Sequence, residues 1–272
     1  MSRIPPLAFV AAEVRISYTP ALVADATVAS LASALGSLPV PQREQRHSLI
    51  IGAAPVGPPE VAVRLMSRDS MTSLTITATT LTLETTSYQG VEVFSALFAE
   101  CMRAVADVVE PSAVERVGLR YVNELRVAST IERIEQWRDY VCPDLLGAAL
   151  GAGEALNNAG ILPDGAAGHS GATVAALQTV VAFELGGQRA LTGRFGPLSG
   201  PPAIGSNPLR RPEMPADGPF FVVDLDAYWP SGPATGEPFN PESLLNSVTA
   251  LHAPIEATFL WATTESYRKD VL

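Results

Sequence analysis

The chain has 272 residues, of which 47% are hydrophobic and 17% are charged, a balance that excludes a disordered protein and allows one large domain or two packed halves. Its 28 acidic residues outnumber its 18 basic residues, and a net charge of −10 disfavours nucleic acid as a partner because an acidic surface repels phosphate. The 23 prolines and 21 glycines follow no repeating period, which excludes a collagen-like fibre.

The N-terminal region and the cysteines favour a cytoplasmic protein. The apolar run over 7–12 ends at Glu13 and is too short for the hydrophobic region of a signal peptide. No stretch reaches the ~20 apolar residues of a membrane-spanning helix, so we expect a protein that does not contact a membrane. Cys101 and Cys142 are the only cysteines, and we expect them to be free thiols in a reducing compartment.

The first predicted elements are a strand and a helix. Apolar and polar residues alternate over 7–18, which predicts a strand with one buried and one exposed face. Residues 20–35 carry apolar side chains near helical spacing, and Gly36 and Pro39 end the predicted helix. The segment 39–59, rich in proline and glycine, is predicted to be a loop.

Three short strands and a long helix follow in the first half. The strands are predicted over 61–68, 73–78 and 80–86. The apolar positions change phase at Thr79-Thr80, which indicates a turn or a bulge between the last two strands. An apolar stripe along 94–108 predicts the helix.

The second half repeats this order with longer loops. Residues 114–127 are predicted to form a strand and residues 131–150 a helix. A hairpin then joins strands at 172–185 and 188–195 through Gly186-Gly187, a pair that can adopt the positive φ values of a tight turn.

The C-terminal region contains an irregular segment, a strand and a helix. Glycine and proline supply 11 of the 24 residues over 196–219, which predicts irregular structure before a strand at 220–229. The residues at 240–242 have the pattern of a helix N-terminus, and Pro254 is expected to kink the helix predicted over 241–270. Because apolar residues lie on more than one side of this helix, it is also a predicted subunit interface of a homo-oligomer. These apolar residues include Leu260, Trp261 and Tyr267.

This order of elements predicts a duplicated α+β fold. Residues 1–112 form one β-α-β-β-β-α repeat and residues 113–272 form a second, and both pack as one globular unit. We expect the two sheets to merge edge to edge about a pseudo-two-fold axis into one curved antiparallel sheet. This arrangement removes two exposed edges and leaves the helices on one face.

The polar face of this sheet is the predicted binding surface. Strand alternation places on it Arg15, Arg64, Arg120, Glu124, Asp224 and Asp226. Guanidinium groups gathered on one surface can each hold a carboxylate or a phosphate with two hydrogen bonds. The alternative is a solvated face whose charges pair with one another across the strands, and the sequence leaves both interpretations open.

Other motifs supply no catalytic set. The segment Gly168–Gly171 resembles a nucleophile elbow but precedes a predicted strand, whereas that motif requires a strand before it and a helix after it. Asn123 falls on the apolar side of its strand and is expected to hydrogen-bond a loop or a helix end, and His252 lies in an apolar helix stripe. No metal-ligand spacing or nucleotide-binding loop is present, so no metal and no cofactor is expected.

Several short motifs occur together along nearly the whole chain. They are Glu13-Val14-Arg15, Tyr88-Gln89-Gly90, Gly118–Asn123, Asp224-Leu225-Asp226 and Leu251-His252. In this combination the chain resembles a sporadically distributed prokaryotic protein family of similar length, which is known only by a family number and has no established activity. The resemblance implies no reaction and no catalytic residue, and by association alone it suggests a mobile or defence-linked gene context.

Two functions follow from these observations. One is a cytosolic, non-catalytic binding or interaction protein that engages a protein partner through its sheet face or its proline-rich loops. The alternative is an enzyme or sensor for a small anionic metabolite held by Arg15, Arg64 and Arg120. In that case Asp224 or Glu124 would act as the base.

Overall fold

The computed structural model describes most of the chain. The described residues are 6–46, 60–109, 111, 113–127, 131, 133–147, 149–151, 155, 177–199, 209–211, 218–230 and 236–271. Four predicted features lie wholly or mostly outside the described residues: most of the loop over 39–59, the motif at 168–171, the start of the strand predicted from residue 172, and most of the segment over 196–219.

A nine-stranded antiparallel sheet forms the centre of the protein. Its strands are β1 (Leu7–Ile16), β2 (Val40–Arg46), β3 (Glu60–Met66), β4 (Thr72–Ile76), β5 (Thr80–Thr85), β6 (Val114–Leu125), β7 (Thr179–Leu185), β8 (Arg189–Ser199) and β9 (Pro219–Trp229). They lie in the order β2-β3-β4-β5-β1-β6-β9-β8-β7. The strands β1 and β6 are therefore neighbours, with the other strands of the first half on one side and those of the second half on the other.

The alternation of side chains decides which face of each strand is buried. In β1, Val14 is fully buried while Arg15 is exposed, and in β6 Leu119 is buried while Arg120 is exposed. Antiparallel pairing aligns residues of the same kind across neighbouring strands, so one face of the sheet is apolar and the other is mostly polar.

Helices pack on the apolar face. They are α1 (Asp25–Ala34), α2 (Val91–Val108), α3 (Pro241–Ala262) and α4 (Glu265–Val271). Leu31 of α1, Phe98 of α2 and Leu251 of α3 are fully buried in one hydrophobic core with the inward residues of the strands. The fold is therefore α+β with an antiparallel sheet. None of the helices in the described part of the chain combines the length and the apolar character needed to cross a membrane.

The segment predicted as a loop over 39–59 begins with a strand. β2 pairs with β3 from Val40 opposite Met66 to Arg46 opposite Glu60, and it forms one edge of the sheet. The sequence pattern does not predict this strand, because Pro41 and several charged residues replace the usual alternation of apolar and polar residues. An edge strand tolerates both, since one side of its backbone has no neighbouring strand to bond.

The long helix predicted over 131–150 is wrong. The structure has two short 3₁₀ helices in this region, Ile134–Asp139 and Pro143–Leu145, and only the described residues at 147, 149 and 150 are α-helical. Pro143 lacks the N–H that a continuous helix would require. Just before it, the backbone N–H of Cys142 donates to the carbonyl of Ala262 at 2.9 Å, which ties this segment to the end of α3.

The β7–β8 hairpin forms, but its connection has three residues and not the predicted two. Leu185 pairs with Arg189, and Gly187 and Gln188 have φ values of 72° and 60°. β8 then continues to Ser199, so the first part of the segment predicted as irregular over 196–219 is a strand. Pro197 lies beyond the last β7–β8 pair, where β8 is paired only with β9 and a missing N–H is tolerated.

The C-terminal helix begins as predicted but is divided in two. The side chain of Asn240 accepts a hydrogen bond from the backbone N–H of Ser243 at 3.0 Å, which caps α3. α3 continues through Pro254 and ends at Ala262, and α4 follows as a separate helix. Tyr267 of α4 is buried within the chain, whereas two apolar residues of α3, Leu260 and Trp261, remain about half exposed. A homo-oligomer through this region stays a prediction.

We expect Phe98→Ala to lower the free energy of unfolding by about 3–5 kcal/mol, because it removes a fully buried ring from the core between α2 and the sheet. Val93→Ala in the same helix is the matched control. Val93 is exposed, so its replacement should change stability by no more than about 0.5 kcal/mol. Urea denaturation of both variants checks the expectation, and equal losses would contradict the assignment of the core.

Candidate functional site on the outer sheet face

The outer face is the polar side of the sheet, opposite the helices. The structure places all six predicted site residues on it. Arg120 and Glu124 lie on β6 and Asp224 and Asp226 on the neighbouring strand β9, while Arg15 lies on β1 at the other side of β6. Arg64 lies on β3, three strands from β1, which corresponds to about 14 Å across the sheet. The predicted residues therefore form a central group of five and a separate arginine.

Arg120 and Asp224 form the strongest ion pair of the central group. The Nε of Arg120 donates to Oδ1 of Asp224 at 2.7 Å, and Nη2 donates to Oδ2 at 2.8 Å. This two-point contact with Asp224 raises the pKa of the Arg120 guanidinium above its usual value. Arg194 of β8 adds a longer contact of 3.5 Å to Oδ2. The carboxylate of Asp224 thus bonds the N–H groups of Arg120 that the sequence analysis assigned to a ligand.

Asp226 is less well compensated than Asp224. It lies directly opposite Arg120 in the β6–β9 register, but Arg120 bonds diagonally to Asp224. The closest ion pair of Asp226 joins its Oδ2 to Nη2 of Arg116 over 3.7 Å, which is too long for a hydrogen bond. Burial raises the pKa of the Asp226 carboxyl, and the nearby Arg116 and Arg120 only partly oppose this effect.

Glu124 is fully buried and bonded on both oxygens. Nη2 of Arg126 lies 3.1 Å from its Oε2, and Nη2 of Arg211 lies 2.8 Å from its Oε1. The guanidinium of Arg126 also stacks on the ring of Phe220, with 4.4 Å between its Cζ and the ring centroid. Through its contact with Arg211, Glu124 links β6 to the segment that carries Arg211.

That segment, 209–211, lies on the outer face. The N–H of Arg210 donates to the carbonyl of Ser70 at 2.7 Å, and the hydroxyl of Thr86 donates to the carbonyl of Arg210 at 2.6 Å. Leu209 completes a small apolar cluster on this face with Phe9, Met66 and Val122. The sequence analysis missed this contact because the segment lies in a stretch dominated by glycine and proline, where no periodicity indicates a buried face.

Arg64 belongs to a separate network at the β2–β5 end of the sheet. Its side chain is almost fully buried, pairs with Glu44 of β2 and donates from Nε to the hydroxyl of Thr75 at 3.2 Å. The same hydroxyl donates to Glu84 at 3.4 Å. Arg64 therefore does not share a ligand position with Arg15 or Arg120.

Arg15 and Arg116 lie where β1 and β6 pair near the end of β1. Arg15 donates from Nε to Oε1 of Glu13 at 2.9 Å. Arg116 lies directly opposite Arg15 in the register, and its Cζ is 4.1 Å from the ring centroid of Tyr228. The sequence analysis did not include Arg116, although the same alternation that placed Arg120 on the outer face also applies to it.

The apolar side of β6 carries a polar group of its own. The side-chain amide of Asn123 is buried and donates to the carbonyl of Val223 on β9 at 3.1 Å, so its partner is a strand and not the predicted loop or helix end. The hydroxyls of Tyr121 and Tyr88 lie 2.7 Å apart, and the ring of His252 packs edge-on against Tyr121 with 5.7 Å between centroids. Burial raises the pKa of both tyrosines.

The chain matches no family model, no curated protein and no solved structure. The family resemblance of its sequence motifs therefore stays a prediction, and the case for a function rests on the geometry of the outer face. Within the described ranges, no group of three or more histidine, cysteine, aspartate and glutamate side chains is placed to hold a metal ion.

We expect Asp224→Asn and Asp226→Asn to differ sharply in stability. Asp224→Asn weakens the two-point contact with Arg120 and should lower the free energy of unfolding at pH 7 by about 1–3 kcal/mol. Asp226→Asn should leave stability unchanged or raise it, because burial already disfavours the charged form of this carboxyl. Urea denaturation at pH 7 measures both, and an equal loss in Asp226→Asn would contradict this account.

The pH dependence supplies an independent check on Asp226. Because the folded protein holds this proton more tightly than the unfolded chain, the contribution of Asp226 to stability is present at low pH. It is lost as the pH rises from about 4 through the raised pKa. The difference in stability between Asp226→Asn and the wild type should therefore grow in favour of the variant across this window, as measured by urea denaturation at successive pH values.

Proposed function

We propose that the protein is a non-catalytic binding protein that holds a protein partner against the outer face of its sheet. The observation that carries the proposal is a set of paired charges on β6, β9 and β8, in which Arg120 and Arg194 contact Asp224 and still reach solvent. The side chains of Arg120 and Arg194 are 47% and 42% exposed while both contact Asp224. A surface of this kind presents charges of both signs in fixed positions, as complementary polar interfaces do.

The internal pairing of these charges favours binding over catalysis. A general base needs a carboxylate that can accept a proton from a substrate. The two carboxylates considered for that role, Asp224 and Glu124, are buried and each contacts two arginines. The three arginines considered for a small anion, Arg15, Arg64 and Arg120, are already bonded to carboxylates of the chain.

The distribution of charge also favours the outer face for contact with a partner. Among the described side chains, seven arginines lie on it or over it: Arg15, Arg64, Arg116, Arg120, Arg126, Arg194 and Arg211. Eight acidic residues accompany them: Glu13, Glu44, Glu60, Glu84, Glu124, Glu184, Asp224 and Asp226. This face is nearly balanced in charge although the chain carries −10, so it repels another acidic protein less than the rest of the surface does.

We also propose a cytoplasmic location, on the evidence of the N-terminal region and the cysteines. We further propose that the fold arose by duplication of one β-α-β-β-β-α unit. The order of strands supports this origin, because β1, β5, β4 and β3 run outward from the centre as β6, β9, β8 and β7 do on the other side. The described parts of the two halves also differ, and α4 has no counterpart in the first half. β2 extends the sheet on the first side, and the 3₁₀ helices over 134–145 stand in place of α1.

Photo-crosslinking in the native cell tests the proposed surface. A photoreactive residue at Thr192, on the outer face of β8, should capture a discrete partner. The same residue at Val93, exposed on α2, is the matched control and should not capture it. Capture from Val93 alone would place the interaction on the helices and contradict the proposal.

We further expect Arg120→Glu to reduce capture at least about tenfold, because it reverses a half-exposed charge in the centre of the face. Arg133→Glu changes an exposed arginine that pairs with Glu135 on the 3₁₀ helix, and it should not affect capture. Circular dichroism verifies that both variants fold. If the protein instead shows an enzymatic turnover that Arg120→Ala abolishes without unfolding, the non-catalytic assignment is wrong.

A further inference from the structure

Three consecutive residues, Leu209, Arg210 and Arg211, contact the outer face with alternate side chains. Leu209 is buried, the side chain of Arg210 is exposed, and that of Arg211 is 11% exposed. The backbone of Arg210 is bonded on both sides, since its N–H donates to the carbonyl of Ser70 and its carbonyl accepts from the hydroxyl of Thr86. Extended peptides that bind along a protein surface use the same combination of main-chain hydrogen bonds and alternate side chains.

Leu209 occupies an apolar site on a face that is otherwise mostly polar. It forms one apolar cluster with Phe9, Met66 and Val122, which come from the three strands β1, β3 and β6. All four side chains are buried. If Leu209 were displaced, the other three would form a site for a single apolar anchor residue of a partner.

Arg211 occupies a charged site two positions later. Its Nη2 donates to Oε1 of Glu124 at 2.8 Å, and the side chain of Glu124 is fully buried. This site selects an arginine, because a neutral or acidic side chain would leave the buried oxygen without a charged partner. Together the two sites select an apolar residue that is followed two positions later by an arginine.

Two features of this contact favour its release. The Nε of Arg211 is buried without a hydrogen-bond partner in the described part of the chain, and an unbonded buried donor costs free energy. When Arg211 leaves, Glu124 keeps its contact with Nη2 of Arg126 at 3.1 Å, so the carboxylate does not become unpaired. Both features lower the free energy of opening, which is low in the segments of a protein that open locally.

We propose that the segment 209–211 is autoinhibitory: it occupies the site of a partner peptide that carries an apolar residue and, two positions later, an arginine. The peptide binds in an extended conformation, with its apolar residue in the cluster of Phe9, Met66 and Val122 and its arginine on Glu124. A competitor within the same chain has an effective concentration on the order of millimolar, so a partner needs further contacts on the outer face to displace it. The inference rests on the proposed function, since it names the peptide and the regulation of the same face.

A peptide added to the full chain tests the site. The probe has the sequence of residues 207–213, and the receptor carries Leu209→Ser and Arg211→Ser, which free the site. The ε-methyl NMR signal of Met66 reports on the apolar cluster. We expect this signal to shift with saturation in the double variant, and the wild type to bind the peptide at least about tenfold more weakly because its own segment competes. Absence of a saturable shift in the double variant, or equal affinity in the two proteins, overturns the proposal.

Matched peptides test the recognition. Glutamine in place of the arginine at position 211 should weaken binding at least about tenfold, whereas glutamine at position 210 should leave binding unchanged, because Arg210 is exposed. Both substitutions remove one positive charge, so equal effects would contradict the assigned contacts. If the double variant does not fold, the single variant Arg211→Gln replaces it and should bind the original peptide more tightly than the wild type does.

Two further measurements separate the alternatives. A dimer of the wild type that the double variant no longer forms would assign the site to the segment of a second copy and overturn the partner assignment. Crosslinking from Thr192 tests the proposed function separately, so capture there together with no binding of the peptide refutes this inference alone.

Discussion

The antiparallel pairing of β1 with β6 connects the two halves of the chain and aligns their side chains. Val14 lies opposite Val117 and Ala12 opposite Leu119, and all four are buried in the core under the helices. The residues between them point to the other face, so the same register that forms the core also gathers the charged side chains. A shift by one residue would exchange the two faces, which fixes the register wherever helices cover one side.

The charges on the outer face follow from this alignment. Charged side chains that reach the same face from neighbouring strands lie within bonding distance of one another, and the acidic and basic residues are arranged so that most arginines find a carboxylate. Two of the carboxylates are buried, and each has two partners: Asp224 pairs with Arg120 and Arg194, and Glu124 pairs with Arg126 and Arg211. Buried carboxylates need such partners because an unpaired charge away from water is strongly unfavourable.

The arginines of the outer face differ in how well acceptors of the chain bond their N–H groups. Arg120 has its best acceptor within the chain, so its charge on this face is held in a fixed pair. Arg116 stacks on the ring of Tyr228 and pairs with Asp226 over 3.7 Å, and its buried Nε has no hydrogen-bond partner among the described residues.

The sequence by itself determined the strands with regular alternation, the amphipathic helix α2, the cap of α3 and the face on which the six charged residues lie. These features depend on neighbours a few residues apart, and side-chain periodicity records them directly. Periodicity did not predict the edge strand β2 or the extension of β8, because prolines and charged residues interrupt the pattern there. Only the tertiary structure decided which charges pair, because the partners are far apart in the chain. Arg120 and Asp224 are 104 residues apart, and Glu124 and Arg211 are 87 apart. The order of strands in the sheet brings each pair together, and no local pattern encodes that order.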